Sequence, residues 1–319
     1  MAERVNGLPG PEALEYVHST HLLIKLRDQS LKVVFKEKVI FSMTEPILGL
    51  SKQVGLGRTP VWTSASVLPG LDPRGMVAKH CQDMCFCESQ DGSILLGLYD
   101  GHGKDGQAVV TFCKNFALSF FKKNQTLWQR DPNRFLMVLT HDCDRALTRM
   151  ESGIDASYSG ATQVLVLIHD ESIHTACVGD SRAVLGTSSP PTVVLAEQPP
   201  RGEGREVLER VKRRRSVSID RQMIAVQLTK DQKPEDPDEM ERIQRMGGVV
   251  RRLMDETGRS IGPWRVWRKD ANYPGLAMAR SLGDISGSEI GVISAPMITT
   301  HVLRPPDDFF LVVASDGIW

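Results

Sequence analysis

The sequence lacks a charge imbalance, a long apolar run and a dense set of cysteines, and each absence excludes a class of protein. Lysine plus arginine and aspartate plus glutamate both number 39, so no overall positive field attracts nucleic acid. The longest unbroken apolar run that we find, residues 309–314, is far too short to cross a bilayer. The first residues contain neither a signal-peptide stretch nor a glycine at position 2 for myristate. We expect a soluble intracellular monomer, in the cytoplasm or the nucleus, that binds neither nucleic acid nor membrane.

The six cysteines are too scattered along 319 residues to form a secreted disulfide framework. His80, Cys81, Cys85 and Cys87 form a small group that we tested as a zinc site. The group lacks the two-residue spacing at which paired cysteines close on one ion, and no second pair follows. We therefore interpret these cysteines as buried free thiols.

The chain divides into an N-terminal extension with a linker, residues 1–57, and a main domain, residues 58–319. Within the domain, residues 187–222 contain two Pro-Pro pairs and a basic run at 212–215, and they are too numerous for a plain connection. We interpret them as a mobile, solvated insertion. A basophilic-kinase target at Ser216 and a weak nuclear-import patch remain alternatives.

The apolar pattern of the main domain predicts short strands and three helices. Strands are expected at 84–87, 94–99, 164–168, 173–178, 182–185 and 223–228, and helices at 107–123, 132–151 and 237–246. Asp131 with Pro132 begins the second helix, and Asp236 with Pro237 caps the third. Two adjacent helices and strands joined by short turns predict an α+β fold rather than alternating βαβ units.

The aspartates stand at the ends of apolar runs. Asp100, Asp180 and Asp316 each close such a run and precede a glycine or serine, and Asp83 lies just before another strand. Strands anchored in a core hold their end residues rigidly, so these carboxylates are able to point at one place. Carboxylates forced together need compensating cations, and oxygen ligands favour Mg²⁺ or Mn²⁺. Taken singly, each pair is also consistent with an ordinary turn.

A glycine triplet offers a competing interpretation. Gly101, Gly103 and Gly106 match the dinucleotide-binding pattern between a strand and a helix. That pattern requires a parallel strand after the helix, whereas here a second helix follows. An aspartate directly before the first glycine would also repel a pyrophosphate. A nucleotide-dependent enzyme is therefore the third hypothesis.

Seven short motifs follow one another in a characteristic order. They are Asp-Gly-His-Gly at 100–103, Ser-Gly-Ala-Thr at 159–162, Val-Gly-Asp-Ser-Arg-Ala at 178–183, Leu-Thr-Lys-Asp-Gln-Lys-Pro at 228–234, Glu-Arg-Ile at 241–243 with Gly-Gly at 247–248, Leu-Ala-Met-Ala-Arg-Ser-Leu-Gly-Asp at 276–284 and Ala-Ser-Asp-Gly-Ile-Trp at 314–319. From about residue 61 to its end, the sequence resembles the metal-dependent protein serine/threonine phosphatases of the PP2C type. The resemblance implies two packed antiparallel β-sheets flanked by antiparallel helices.

The resemblance also implies a centre of two Mg²⁺ or Mn²⁺ ions. Asp100 would bridge both ions, the Gly101 carbonyl would bind one, Asp316 would hold the other, and Asp83 would act through water. Asp180 would bind a weaker third ion. Two residues of the 276–284 motif, Arg280 and Asp284, would support the site without binding metal.

The sequence departs from the family pattern in three places. Gln82 stands where the family often has an acidic residue, and we keep its oxygen as a candidate ligand. Ala78 replaces the expected phosphate-binding arginine, which leaves Arg74 or Lys79 as substitutes. The family continues beyond Trp319 with further helices, strands and a metal-binding aspartate, so we expect a C-terminally incomplete fold whose last strand, residues 309–314, lacks its following partner.

The resemblance implies hydrolysis of phosphoserine and phosphothreonine in proteins by a water that bridges two divalent ions. His102 is our candidate to protonate the leaving oxygen, although it is also able to serve as a hydrogen-bonding residue only. No cysteine lies in a glycine-rich phosphate loop, so a cysteinyl-phosphate mechanism lacks a nucleophile. The alternative is a catalytically inactive relative that binds phosphoproteins.

Overall fold

The structure is a computed structural model that describes residues 81–149, 152–189 and 223–319, together with the backbone of short strands within residues 19–78 and 194–196. The described helices are α1 (Gly106–Lys123), α2 (Gln125–Arg130), α3 (Pro132–Leu147), α4 (Pro237–Arg245) and α5 (Ile285–Ser288). The described strands are β1 (Ser19–Lys25), β2 (Lys32–Phe35), β3 (Lys38–Ser42), β4 (Lys52–Leu56), β5 (Thr59–Leu68), β6 (Leu71–Asp72), β7 (Val77–Ala78), β8 (Asp83–Gln90), β9 (Ser93–His102), β10 (Gly160–His169), β11 (Ser172–Val178), β12 (Arg182–Thr187), β13 (Val194–Ala196), β14 (Ile224–Gln227), β15 (Gly248–Met254), β16 (Ser260–Arg268), β17 (Pro274–Leu276), β18 (Leu282–Gly283), β19 (Met297–Val302) and β20 (Asp308–Ala314).

Most of the described strands belong to two large antiparallel sheets. One sheet has the order β14-β12-β20-β1-β5-β4, and the other has the order β13-β19-β11-β10-β9-β8 with β18 beside β10. Strands β15, β16 and β17 form a smaller sheet. The predicted α+β class, with packed antiparallel sheets and flanking helices, is confirmed. Because β10 pairs antiparallel with β9, the parallel strand that a dinucleotide-binding unit needs is absent at this position, and that hypothesis is wrong.

The first described strand lies inside the six-stranded sheet. Strand β1 pairs with β20 on one side and with β5 on the other, so Leu22 lies opposite both Val313 and Ala65. Part of the sequence that we assigned to the N-terminal extension therefore belongs to the same sheet as residues 308–314. We expected β20 to lack a partner that follows it in the chain; both of its edges are paired, but with strands that precede it, β1 and β12.

The core has two layers, and strand β9 contributes one face to each. Ile94, Leu96 and Leu98 pack between the two sheets, against apolar residues of β10, β12 and β20. Leu95 and Tyr99 point the other way and pack under α1 and α3. Side chains alternate along a strand, so Asp100 continues the series that faces the second sheet. The alternation therefore directs Asp100 toward the space between the ends of the two sheets.

The predicted helices are present, but their ends differ from the predicted ends. Helix α3 begins as predicted, since the side chain of Asp131 accepts a hydrogen bond from Arg134 N at 2.9 Å, but it ends at Leu147 rather than at residue 151. Helix α2 was not predicted, because its six residues are too few for an apolar period to appear. The buried Trp128 anchors this helix by donating from Nε1 to the Phe121 carbonyl at 3.1 Å. None of the described helices is long and apolar enough to cross a membrane.

Two smaller predictions have different outcomes. Helix α4 ends before Gly247, whose φ of 87° is a backbone conformation that glycine adopts readily. The predicted cap by Asp236 is wrong, because this side chain makes no capping hydrogen bond and pairs with Lys230 at 3.0 Å instead. All six cysteines are free, as predicted, but the expected burial of Cys81, Cys85 and Cys87 is wrong, because these three are only partly buried.

Candidate active site

Two of the predicted metal ligands lie directly opposite each other on neighbouring strands. Asp83, at the start of β8, pairs in register with Asp100, near the end of β9. Residues opposite each other in an antiparallel pair share one face of the sheet, so both carboxylates face the second sheet. From that sheet, Ser315 Oγ donates to Asp83 Oδ2 at 3.2 Å, and Asp316 follows next in the chain. The ends of the two sheets therefore bring Asp83, Asp100 and Asp316 into one region.

Asp100 has the most perturbed carboxyl group of this region. Burial raises its pKa first, and the charges of Asp83 and Asp316, a hydrogen bond with Asp83 and the charge of Asp180 raise it further, to about 9. Without a cation, Asp100 would therefore keep its proton at neutral pH. Clustered carboxylates of this kind need a compensating positive charge before all of them are able to ionise.

The backbone around Asp100 is held on both sides. Asp100 N donates to Thr162 Oγ1 at 3.3 Å, and that hydroxyl is 2.7 Å from Ser181 Oγ. Gly101 N donates to the Gln82 carbonyl at 3.1 Å. A Cβ added at Gly101 would lie 2.7 Å from the same carbonyl oxygen, so no other residue fits here without a shift. This close packing fixes the backbone carbonyl that the resemblance assigns to a metal ion.

The side chain of Gln82 stabilises the loop after β9. Its Nε2 donates to the Gly103 carbonyl at 2.8 Å, and its Oε1 faces Gly106 at the start of α1. An acidic residue at this position would lack the amide donor for that bond. The observed contacts therefore give Gln82 a structural role that we did not predict, while its role as a metal ligand stays a prediction.

His102 is held by a carboxylate from a distant part of the chain. Its Nε2 lies 2.6 Å from Asp284 Oδ2. Asp284 is 1% exposed, whereas His102 is 24% exposed, so the pair has one buried member and one that solvent reaches. Asp284 has a φ of 45° and its Oδ1 is buried with no hydrogen-bond partner among the described residues. The pair fixes the orientation of the His102 ring.

Asp180 is paired with a lysine that we did not single out from the sequence. It lies just past the end of β11, is buried, and accepts a very short hydrogen bond from Lys233 Nζ. Burial lowers the pKa of Lys233, but the charge of Asp180 and the hydrogen bond to it outweigh burial, and the pKa is raised overall. Nearby, Arg182 makes a two-pronged ion pair with Asp231, at 2.8 and 2.9 Å.

The donor set fits a hard divalent cation. Within the described ranges, no three His, Cys, Asp or Glu side chains are gathered tightly enough to hold an ion by themselves. The resemblance assigns each ion few protein side chains, because Asp100 is shared and the Gly101 carbonyl and water supply other ligands. The fit rests on the oxygen chemistry of these residues and on the charge around Asp100, both of which favour Mg²⁺ or Mn²⁺.

The described part of the site does not include every predicted residue. Arg74, Lys79 and Ser216 fall outside the described residues. Arg280 is turned to a different cluster, where its guanidinium pairs with Glu239 and donates to the Ala295 carbonyl at 2.8 Å. Sequence reasoning missed Lys233, although it lies in the 228–234 motif. Gln-Lys-Pro after a strand gives no periodic signal, and only the resemblance pointed to that segment.

The fold is similar to that of a serine-threonine phosphatase 2C from Toxoplasma gondii, with a TM-score of 0.53 and 16% sequence identity over 73% of this chain and 72% of that one. The protein phosphatase 2C family model matches residues 74–319. The chain therefore belongs to the protein phosphatase 2C family.

Curated relatives agree with this assignment. The chain is 33% identical over 263 residues to Probable protein phosphatase 2C 48 of Oryza sativa subsp. japonica, covering 76% of this chain and 65% of that protein. It is 39% identical over 251 residues to Probable protein phosphatase 2C 73 of Arabidopsis thaliana, covering 72% of this chain and 58% of that protein. The chain thus spans less than two thirds of the length of these relatives.

Proposed function

We propose that the protein is a protein serine/threonine phosphatase that needs Mg²⁺ or Mn²⁺. The observation that supports this most directly is the convergence on Asp100, whose carboxyl is buried among Asp83, Asp316 and Asp180. Such a group of acids costs stability unless cations bind, and cations bound there would meet the dense negative charge of a phosphate ester. Membership of the protein phosphatase 2C family supports phosphoproteins as the substrates. Monomeric state and cytoplasmic or nuclear location stay predictions.

Five residues would hold the ions. Asp100 would be shared, the Gly101 carbonyl and Asp316 would each bind one ion, Asp83 would act through water, and Asp180 would bind a third. When bound, two such ions polarise a phosphoryl group and lower the pKa of a water between them toward neutrality.

His102 is placed to act on the leaving oxygen. Asp284 engages Nε2 of His102, so the proton for the seryl or threonyl oxygen would be carried at Nδ1. Because the Asp284 carboxylate accepts the hydrogen at Nε2, Nδ1 donates only when both ring nitrogens carry protons. Asp284 acts here as a positioning residue, since it touches the histidine and not the substrate.

Hydrolysis of a phosphothreonine peptide tests the proposal. We expect turnover with Mn²⁺, loss of turnover with EDTA, and a loss of at least about a hundredfold in Asp100→Ala. Asp270→Asn is the matched control, because Asp270 is exposed in the turn between β16 and β17. Mn²⁺-dependent binding of the phosphopeptide without turnover would instead favour a catalytically inactive, phosphoprotein-binding protein.

A further inference from the structure

The segment that carries Lys233 is fastened to the end of β11. Gln232, which is buried, accepts a hydrogen bond from Gly179 N through Oε1 at 2.6 Å, and its own backbone N donates to the Gly179 carbonyl at 2.9 Å. Its Nε2 donates to the Lys230 carbonyl at 3.0 Å. The first two bonds tie Gln232 to Gly179, the residue that directly precedes Asp180. The position of the next residue, Lys233, is therefore set by a buried glutamine.

The ion pair between Arg182 and Asp231 fastens the same segment a second time. Arg182 follows Asp180 by two residues, and its Nε and Nη2 donate to the two carboxylate oxygens of Asp231. Both sides of Asp180 in the chain are thus linked to the segment that presents Lys233. The backbone that carries Lys233 is therefore held beside Asp180 from two directions.

Another lysine of the segment provides a comparison within the same loop. Lys230 is 62% exposed and pairs with Asp236, whereas Lys233 is 33% exposed and pairs with Asp180, which is 5% exposed. An exposed pair contributes little because solvent and salt screen it. The ammonium beside the buried Asp180 is screened less, so its charge affects what else binds there.

We propose that the ammonium group of Lys233 competes with the third divalent ion for the carboxylate of Asp180. The inference rests on the proposed metal centre, because the resemblance assigns the third ion to Asp180. Lys233 contacts Oδ2 directly, so an incoming ion has to share the carboxylate with the ammonium or displace it. Repulsion between the ammonium and a dication then lowers the affinity of the third site without blocking the ions at Asp100.

Titration with Mn²⁺ alone tests the proposal without any substrate. Free Mn²⁺ is measured by electron paramagnetic resonance for the wild type and for Lys233→Met, which keeps the length of the side chain and removes its charge. We expect the dissociation constant of the weakest Mn²⁺ site to fall at least about tenfold in this variant. Lys230→Met, the matched control, should change the same constant less than twofold, because its charge is exposed and paired with Asp236.

A double variant identifies the ligand. Adding Asp180→Asn to Lys233→Met should cancel the gain in affinity, since the gain requires the Asp180 carboxylate. Lys233→Gln provides the same comparison if Lys233→Met unfolds, as judged by far-ultraviolet circular dichroism. The proposal is overturned if the weakest site is unchanged in both Lys233 variants, if Lys230→Met tightens it equally, or if the gain survives in the double variant.

The outcome is separable from the proposed function. Mn²⁺ binding that tightens as expected, in a protein that hydrolyses no phosphothreonine peptide, would support the role of Lys233 and refute the phosphatase activity. If the protein hydrolyses the peptide but the affinity of its weakest Mn²⁺ site is the same in the Lys233 variants, the phosphatase activity is supported and the role of Lys233 is refuted.

Discussion

Removing the carboxyl group of Asp100 should change how the stability of the metal-free protein depends on pH. The pKa of Asp100 is raised from 3.8 to about 9, chiefly by burial and by the charges of Asp83 and Asp316. The folded protein therefore keeps a proton on Asp100 at pH values where the unfolded chain has lost it. Stability must then fall as pH rises between the two pKa values, because the folded state binds more protons than the unfolded state.

The size of the effect follows from the number of protons. One proton that is bound only in the folded state gives a slope of about 1.4 kcal/mol per pH unit, or about 2.7 kcal/mol between pH 5.5 and 7.5. Asp100→Asn removes this proton and leaves the eight histidines and the other titrating groups in place. The difference in slope between wild type and variant therefore isolates Asp100.

Urea unfolding in EDTA at pH 5.5, 6.5 and 7.5 measures both slopes. We expect the free energy of unfolding of the wild type to decrease with pH relative to Asp100→Asn, while Asp270→Asn, altered at an exposed position, behaves as the wild type does. Saturating Mn²⁺ should flatten the wild-type profile, since bound cations compensate the ionised carboxylates. Equal slopes for wild type and Asp100→Asn in EDTA would refute the reasoning that Asp100 lies in a crowded acidic site.

Three further predictions concern residues around and beyond the site. Asp284→Asn should lower kcat at least about tenfold, because Asp284 positions His102. KM should change little, and the circular dichroism spectrum should be unchanged. A change in KM alone would contradict this role. Glu239→Gln should destabilise the protein by about 3 kcal/mol at pH 7, since it removes the buried carboxylate that pairs with the guanidinium of Arg280. Burial raises the pKa of Glu239, but its ion pairs lower it more, and the pKa is lowered overall. The loss of stability in Glu239→Gln should therefore shrink as pH falls through that lowered pKa. A loss that urea unfolding finds to be independent of pH would contradict this prediction. Trp128→Ala should cost about 3–5 kcal/mol, because the indole is fully buried, and an unchanged urea midpoint would show that α2 is not anchored by it.

The sequence predicted the structure best where a single pattern determined both a strand and the position of a candidate site residue. In β9 the continuous apolar run of residues 94–99 predicts a buried strand, and the alternation of side chains along a strand directs Asp100 to the face between the sheets. The fold class and the antiparallel hairpin of β10 and β11 were predictable for the same reason, since short polar turns leave few ways to connect apolar strands.

Other parts of the site depend on contacts between distant residues, and a local pattern does not report them. The pairing of Lys233 with Asp180 spans 53 positions, and that of His102 with Asp284 spans 182. Neither lysine nor buried aspartate has a periodicity that predicts its partner. The partner strand of β20 was missed because β1 lies in a segment of mixed apolar and charged residues, which resembles an extension when it is read alone.

The position of β1 beside β20 has a consequence for how the protein folds. The strand that leads to Asp316 lies in a sheet between β12 and β1, so one of its edges pairs with residues that are far away in the sequence. Closing a loop of this length is entropically unfavourable and slow compared with forming a hairpin. The region around Asp100 and Asp316 would therefore be completed late in folding, after the local β8–β9 hairpin has formed.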